Sequence, residues 1–289
     1  MSIKTGVLYV VATPIGNRKD ITQRALEVLG AVDVVVAEDT RHSRKLLSSF
    51  GIRVPLVSMH EHNERSVALR LVQALKQGET IALVADAGTP LISDPGYHLV
   101  QDAHEAGIPV VPVPGPSALI CALSAAGLAT DRFVFEGFLP SRGPARRSRL
   151  QALAKESRTL VFYESCHRIL GSLQDLADCL GGAREAVVAR ELTKLFEAIR
   201  KGSLGELLEH LKADSDQQKG EFVLLVAGAD EAAPQQVSAD AVKILQVLVE
   251  ELPVKQAAAL TARITGEKRN QLYAMALDLS GAGSKHESK

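Results

Sequence analysis

The sequence has few aromatic residues, few cysteines and almost no net charge. It contains no tryptophan, and Phe, Trp and Tyr together make up 4% of its 289 residues. Three cysteines without a Cys-x-x-Cys pair exclude a disulfide framework and a zinc ribbon, and are typical of a reducing cytoplasm. A formal net charge of -1 excludes a global field that would draw the protein onto nucleic acid or a membrane. Any such binding must therefore come from local patches.

Segments typical of export or membrane insertion are also lacking. The apolar run Val7–Ala12 is strand-like and no cleavage region follows it, so we expect no signal peptide. The segment 106–130 carries no charge and is long enough to cross a bilayer, but its first half is interrupted by Pro109, Pro112, Pro114 and Pro116. We therefore expect a cytoplasmic protein with no membrane contact.

What is present is the alternation of an α/β protein. Hydrophobic residues make up 46% of the chain, and its length suggests about two domains with room for a small third. The apolar runs are continuous and rich in Val and Ile, as a parallel sheet covered on both faces requires. We predict one α/β domain over residues 1–116, with strands inside GVLYVVATP, VDVVVAED, ETIALVADAG and IPVVPVPG. A second α/β domain follows over 117–230, in which the sequence leaves the strand order open.

A small helical domain is predicted at residues 238–279. The charged, proline-containing stretch ADEAAPQQVS before it has the composition of a linker. Three short helical segments follow, with Ser238 as the predicted N-cap of the first and Gly266 punctuating the stretch before the last.

The residues after the four predicted strands of the first domain form an unusual series. A parallel sheet binds ligands beyond the carboxyl ends of its strands, so a site is expected there. Small, rigid residues let a ligand approach the backbone, and acids can hold amino or hydroxyl groups. Any one of these segments could be an ordinary turn, but four in series favour a site: Thr13–Asn17, Ala37–Arg41, Asp86–Pro90 with Ser93–Gly96 after it, and Pro112–Ala118. No Gly-x-Gly-x-x-Gly or P-loop motif occurs, which argues against a usual dinucleotide or P-loop site.

Seven segments of the chain resemble one known family. In chain order they are ATPIGNRKDIT, AEDTRHS, HEHNE, VADAGTPLISDPG, VPVPGPSA, FEGFLPSR and ARELTKLFE. These long, ordered motifs resemble the tetrapyrrole methylase superfamily from about Gly6 to Gly228, and within it the branch that methylates the RNA of the small ribosomal subunit. The tail from Ser238 to Leu279 resembles the helix-turn-helix-like extension of that branch.

The resemblance implies a fold, a cofactor and a reaction. The fold is two α/β domains of the tetrapyrrole methylase type with the cofactor cleft between them, plus a small C-terminal helical domain. The cofactor is S-adenosylmethionine, the enzyme is a homodimer, and the acceptor is the ribose 2'-hydroxyl of a cytidine in the decoding region of 16S rRNA, within the small ribosomal subunit.

Cofactor-binding residues are carried over from the family position by position. Thr89 and Ile92 are alternatives for covering the ligand, because this chain is about three residues longer there than the porphyrin branch. Glu164 stands where siroheme enzymes have Met, which replaces an apolar contact with a charge. The full set implied by the resemblance is Pro14, Ala85, Asp86, Thr89, Ile92, Ser117, Ala118, Tyr163, Glu164 and Leu192.

Activation of the acceptor hydroxyl is assigned to Glu38 or Asp39. One of them falls where the tetrapyrrole branch has a catalytic aspartate, and Arg41 beside them could anchor a phosphate. A carboxylate acting as general base typically contributes about 10²–10⁴-fold. The alternative is that Asp39 and Arg41 form a structural ion pair and that no base exists.

Local basic patches are the predicted RNA contacts. The stretch Ser141–Arg149 is interpreted as a basic loop, because it holds four arginines and no acid. Lys268 and Arg269 begin the last predicted helix, whose backbone amides also favour phosphate. The alternative for both patches is a solvated surface. The arginines of the loop are Arg142, Arg146, Arg147 and Arg149.

No metal site is predicted. The pair of histidines in His60-Glu61-His62 lacks a third ligand at suitable spacing, which favours a polar loop or an RNA contact over zinc.

Two alternatives to an RNA ribose methyltransferase remain open. One is a methyltransferase acting on a small tetrapyrrole; the other is an RNA-binding assembly factor with a vestigial cofactor site.

Overall fold

A computed structural model of the chain describes residues 5–229 and 238–280. Residues 5–228 lie in one compact unit, and residues 238–280 belong to a second one. The proposed boundary at residue 116 falls within the first unit, between its two sheets. The linker predicted over ADEAAPQQVS lies largely outside the described residues.

The first sheet of the larger unit is parallel, as predicted. Its strand order is β3-β2-β4-β1-β5. Its strands are β1 Leu8–Val11, β2 Val34–Ala37, β3 Leu56–Ser58, β4 Ile81–Val84 and β5 Val110–Val113. Its helices are α1 Gln23–Leu29, α2 Thr40–Ser49, α3 Glu64–Lys76 and α4 Tyr97–Glu105.

Helices cover both faces of this sheet because successive side chains of each strand point to opposite sides. Tyr9 and Val11 of β1 pack in one cluster with α1 and α2, whereas Leu8 packs in another with α3 and α4. Strand β5 lies at the edge of the sheet and contains Pro112, which an edge position tolerates.

The second sheet is mixed, with the order β6-β7-β10-β8-β9. Only β6 and β7 pair in parallel; the other neighbours are antiparallel. The strands are β6 Phe133–Phe138, β7 Thr159–Ser165, β8 Glu185–Arg190, β9 Ala198–Ser203 and β10 Glu221–Val226. The helices are α5 Ala118–Ala125, α6 Gly143–Leu153, α7 Ile169–Leu180 and α8 Leu204–Ala213, and two short 3-10 turns are Arg18–Asp20 and Ser215–Gln218.

The two faces of the second sheet have different partners. Phe162 and neighbouring side chains pack against α6, α7 and α8. On the other face, Val161, Val187 and Leu225 pack against α5 and against Ile15, which follows β1 of the first sheet. The two sheets of the larger unit therefore share a core.

The prediction of a basic loop at 141–149 is wrong, because most of this stretch lies in helix α6. Arg142 is the N-cap residue, and Pro144 lies in the first turn, where a missing backbone N–H costs no hydrogen bond. The helix buries Leu150 and Leu153. It also turns Arg146 inward, where the side chain is buried.

The smaller unit consists of helices α9 Ala239–Glu251, α10 Val254–Thr265 and α11 Arg269–Leu279. It has its own apolar cluster, which includes Leu245 and Leu272. The predicted N-cap is confirmed, because the Ser238 hydroxyl accepts a hydrogen bond from the Ala241 amide at 3.3 Å. Gly266 ends α10 in the left-handed conformation. Among the described residues, no helix is long and apolar enough to cross a membrane.

Candidate active site

A cavity of about 400 Å³ opens between the two sheets of the larger unit. Its first wall comes from the ends of strands β1, β2 and β4 and from the start of α5. Its second wall comes from β6, β7, β8 and β10. This volume lies within the range of about 300–1,000 Å³ that small-molecule sites occupy.

Two loops of the first sheet are clamped together at the cavity. The Thr13 hydroxyl donates to the Ala85 carbonyl at 3.1 Å, and the backbones of Thr13 and Gly88 exchange two hydrogen bonds. Gly88 has a φ of 83° and lies against Ile15, so a side chain here would be strained and crowded. The clamp holds the backbone of the Asp86–Thr89 segment in the wall.

Three carboxylates face this cavity from the first sheet: Glu38, Asp86 and Asp94. Burial raises the pKa of Asp94 to about 6, and the charges of Glu38 and Asp86 act in the same direction. Burial, followed by the charge of Asp86, also raises the pKa of Glu38. The site therefore concentrates negative charge where a cation or a set of hydroxyl groups would be stabilised.

Asp39 lies apart from this group. Its carboxylate accepts hydrogen bonds from the backbone and side chain of Arg41, which hold its pKa below the usual value. The Arg41 side chain is 90% exposed. The Asp39 backbone amide donates to Asp86 at 3.1 Å. Of the two predicted bases, Glu38 lines the cavity and Asp39 caps α2.

Most of the predicted cofactor residues line the cavity, and they come from both sheets. Thr89 and Ile92, which were alternatives, both lie in the wall, and the Thr89 hydroxyl donates to the Pro116 carbonyl at 3.0 Å. The lining members of the predicted set are Asp86, Thr89, Ile92, Ser117, Ala118, Tyr163, Glu164 and Leu192. Pro14 and Ala85 are buried behind the wall, and their neighbours Ile15 and Asp86 line it instead.

Glu164 does not present a free carboxylate. One oxygen accepts from the Ser165 amide at 2.8 Å and lies 2.7 Å from Arg168, and the other accepts from the Ser172 hydroxyl at 2.5 Å. Its side chain is fully buried. The buried charge of Glu164 is therefore neutralised by Arg168 inside the protein.

Residues with left-handed backbone conformations flank two side chains of the cavity wall. Among the described non-glycine residues, positive φ angles occur at Leu91, Ser93, Glu191 and Thr193. The first two flank Ile92 and the last two flank Leu192, and both of these side chains line the cavity. Such backbone conformations typically cluster at ligand sites.

The arginines of the predicted basic loop are placed differently from one another. Arg146 is buried and its guanidinium lies 2.7 Å from Asp175, so it is not available to a phosphate. Arg147 contacts the same aspartate at 3.3 Å, and Arg149 pairs with Glu136 at 2.8 Å, each about half exposed. Arg142 is exposed.

Lys268 and Arg269 are exposed at the start of α11, with no acidic residue in its first turn.

His60 and His62 meet edge to face with ring centroids 6.0 Å apart. In the ranges that the structure describes, no group of three or more His, Cys, Asp or Glu side chains is placed to hold a metal ion.

The comparisons with known proteins agree with this architecture. A family model described as Tetrapyrrole (Corrin/Porphyrin) Methylases matches residues 7–208, and a model described as RsmI C-terminal HTH domain matches residues 235–280. The fold is also similar to a crystal structure of uroporphyrin-III C-methyl transferase from Thermus thermophilus complexed with S-adenyl homocysteine. That similarity has a TM-score of 0.52 and 18% identity, and covers 75% of this chain and 96% of the other.

Full-length relatives are much closer in sequence. The chain is 56% identical over 280 residues to ribosomal RNA small subunit methyltransferase I of Pseudomonas aeruginosa, covering 96% of this chain and 99% of that one. It is likewise 56% identical to the protein of that name from Escherichia coli O157:H7, covering 96% of each. The chain belongs to the tetrapyrrole methylases and, within them, to the family of ribosomal RNA small subunit methyltransferase I.

Proposed function

We propose that this protein methylates the ribose 2'-hydroxyl of a cytidine in the decoding region of 16S rRNA, within the small ribosomal subunit of the cytoplasm. The protein is an S-adenosylmethionine-dependent methyltransferase of small-subunit ribosomal RNA, in keeping with its full-length relatives. The position and atom that receive the methyl group are the finer part of the proposal.

The cavity fits the cofactor. Its mouth is open, its volume of about 400 Å³ is that of a small-molecule site, and its lining is mixed. The carboxylate of Asp86 could accept hydrogen bonds from ribose hydroxyls or an amino group, while Ile15, Ala118 and Leu192 offer apolar contacts. S-adenosylmethionine supplies an electrophilic methyl group on a positively charged sulfur, which the acidic wall would favour.

The residues of this chain then have to align and activate the acceptor oxygen. Alignment is the main requirement, because the thioether is a good leaving group. We assign the base to Glu38, since it faces the cavity and its raised pKa makes it a better proton acceptor than a solvated carboxylate. Glu38 would take the proton of the acceptor hydroxyl, while bound S-adenosylmethionine would supply the methyl group and leave as its thioether.

The second unit is the observation that favours RNA, and not a tetrapyrrole, as the substrate. A small molecule that fits the cavity has no need of a three-helix unit, whereas Lys268 and Arg269 are exposed at a helix start, where backbone amides also favour phosphate. Arg142 is a further exposed cation of the first unit. An assembly factor with a vestigial site is disfavoured because the cavity and its acidic wall are intact.

A homodimer is part of the proposal. Leu195 and Phe196 are 89% and 64% exposed, and Ile199 nearby is 40% exposed. Exposed large apolar side chains this close together in the chain are the kind of surface that a protein interface covers. Sedimentation at micromolar concentration should give twice the mass of the chain, whereas a monomer would contradict this part.

The activity is tested by transfer of a radiolabelled methyl group from S-adenosylmethionine. Small ribosomal subunits from a strain lacking the gene should be labelled, and subunits from the parent strain should not. Uroporphyrinogen in the same assay is the comparison substrate. Labelling of uroporphyrinogen alone would establish the tetrapyrrole alternative, and binding to the subunit with no labelling would establish the assembly factor.

A further inference from the structure

One exposed aromatic side chain faces the cavity without a role in the scheme above. Phe138 is 52% exposed and lies in the cavity wall. Among the exposed large hydrophobic side chains in the described part of the chain, it is the one that lines this cavity. An apolar ring kept half open to solvent at a cavity with three carboxylates in its wall calls for a physical explanation.

A β-bulge puts this ring into the cavity. Strand β6 pairs Phe135 with Val161 of β7, but the register then shifts so that Phe138, and not Gly137, lies opposite Tyr163. Because side chains alternate along a strand, regular pairing would place Gly137 on the face of Tyr163 and turn Phe138 away. The extra residue is Glu136, whose carboxylate is held by Arg149 at 2.8 Å.

The surroundings fix the orientation of the ring. Tyr163 meets Phe138 edge to face, with centroids 5.7 Å apart. The guanidinium of Arg168 lies over the Phe138 ring at 6.0 Å, and is held by Glu164 at 2.7 Å and by the Leu139 carbonyl at 3.0 Å. The buried Glu164 thus neutralises the charge of Arg168. The role of this arginine is therefore to position the Phe138 ring.

We propose that Phe138 is the platform on which the base of the acceptor nucleotide stacks during methyl transfer. This inference rests on the proposed function, because it takes the acceptor to be a nucleotide of RNA. A 2'-hydroxyl can enter a cavity between two sheets only if its nucleotide leaves the surrounding RNA structure, and this breaks stacking contacts. A rigid aromatic ring at the cavity mouth replaces one of those contacts and places the ribose toward the carboxylate wall.

Replacing Phe138 by Leu removes the aromatic face and keeps an apolar side chain. Since one base–aromatic stack is worth about 1–3 kcal/mol, we expect kcat/KM for small subunits to fall about tenfold or more, with the affinity for S-adenosylmethionine unchanged. Phe138→Tyr should restore most of the rate. The matched control is Tyr97→Leu, at an exposed aromatic residue outside the cavity wall, which should leave both parameters as in the parent.

The lack of tryptophan in this chain allows a direct readout of stacking. In Phe138→Trp the new residue is the only tryptophan of the chain, so its fluorescence, taken as the difference from parent protein with the same subunits, should be quenched when unmethylated small subunits are added. It should change little when S-adenosylmethionine is added alone. Circular dichroism of each variant would establish that the fold is retained.

Two outcomes would overturn the inference. An unchanged kcat/KM in Phe138→Leu would show that the ring does not hold the base, and a loss of S-adenosylmethionine affinity without an RNA effect would assign the ring to the cofactor. Failure of the proposed function is distinguishable, because the parent protein itself would then leave the subunits unlabelled.

Discussion

The buried ion pair of Arg146 gives a sharp test of which arginines serve the fold and which serve RNA. Its guanidinium and the Asp175 carboxylate are 2.7 Å apart, with side-chain exposures of 11% and 9%. Arg146→Met would remove one partner and leave a buried carboxylate. Removing one partner of a buried pair typically costs about 3–5 kcal/mol, much of it from the charge left behind.

The expected cost here is at the lower end of that range. Arg147 still contacts Asp175 at 3.3 Å, but it is 47% exposed and holds the carboxylate less well. We therefore expect Arg146→Met to lower the free energy of unfolding by about 3 kcal/mol. Urea denaturation followed by circular dichroism would measure this as a lower midpoint with an unchanged slope.

Two further variants complete the test. Arg146→Met combined with Asp175→Leu removes both charges and should regain most of the stability. Arg142→Met, at an exposed position of the same helix, should change stability by less than about 0.5 kcal/mol and raise KM for the ribosomal substrate. The reasoning is refuted if Arg146→Met is as stable as the parent and raises KM as Arg142→Met does.

The remaining predictions concern the cavity and the second unit. Asp86→Ala should weaken S-adenosylmethionine binding at least about tenfold by calorimetry, and an unchanged affinity in a folded variant would remove Asp86 from the site. Glu38→Gln should lower kcat about 10²-fold or more without changing cofactor affinity; an unchanged kcat would mean that no base is needed. The folded-state pKa of Asp94, about 6 against a usual 3.8, means that its ionisation opposes folding as the pH rises from about 4 to above 6. The pKa shift alone sets an upper limit of about 3 kcal/mol on the stability that Asp94→Asn gains at pH 8. Because solvent screens this partly exposed group, we expect a gain of about 1 kcal/mol at pH 8 and little gain at pH 4. An equal gain at both pH values would contradict the shifted pKa. Truncation after Gly228 should leave a folded protein that binds the cofactor but methylates subunits with a raised KM, whereas unfolding would make the second unit part of the body.

Much of the fold can be predicted from the sequence, because buried parallel strands consist of continuous runs of apolar residues. Strands β1, β2, β4 and β5 were predicted on this ground, and the family model confirms the superfamily. Two edge strands were missed. Strand β3 is only three residues long, and β9 contains Arg200 and Lys201, so neither forms an apolar run.

The candidate site could be predicted in part, since strand ends are visible in the sequence. Asp94 was not assigned a role, because it enters the wall only through the left-handed turn at Leu91 and Ser93. Phe138 was also missed. A bulge depends on pairing with another strand, and strand pairing in the second sheet could not be worked out from local pattern.

The basic stretch shows a different limit of sequence reasoning. Its arginines have acidic partners that are distant in the chain: Asp175 lies 29 residues beyond Arg146, and Glu136 lies 13 residues before Arg149. A local charge count cannot see such partners. The proline in the first turn and the leucines at 150 and 153 were, in contrast, a readable helix signal.

The central claim is the chemical identity of the methylated position. The most direct measurement is mass spectrometry of nucleosides and nuclease fragments from 16S rRNA, taken from small subunits of a strain lacking the gene, before and after treatment with this protein and S-adenosylmethionine. We predict one new 2'-O-methylcytidine, in a fragment from the decoding region. A methyl group on a base, a methylated nucleotide other than cytidine, or no new modification would contradict the account.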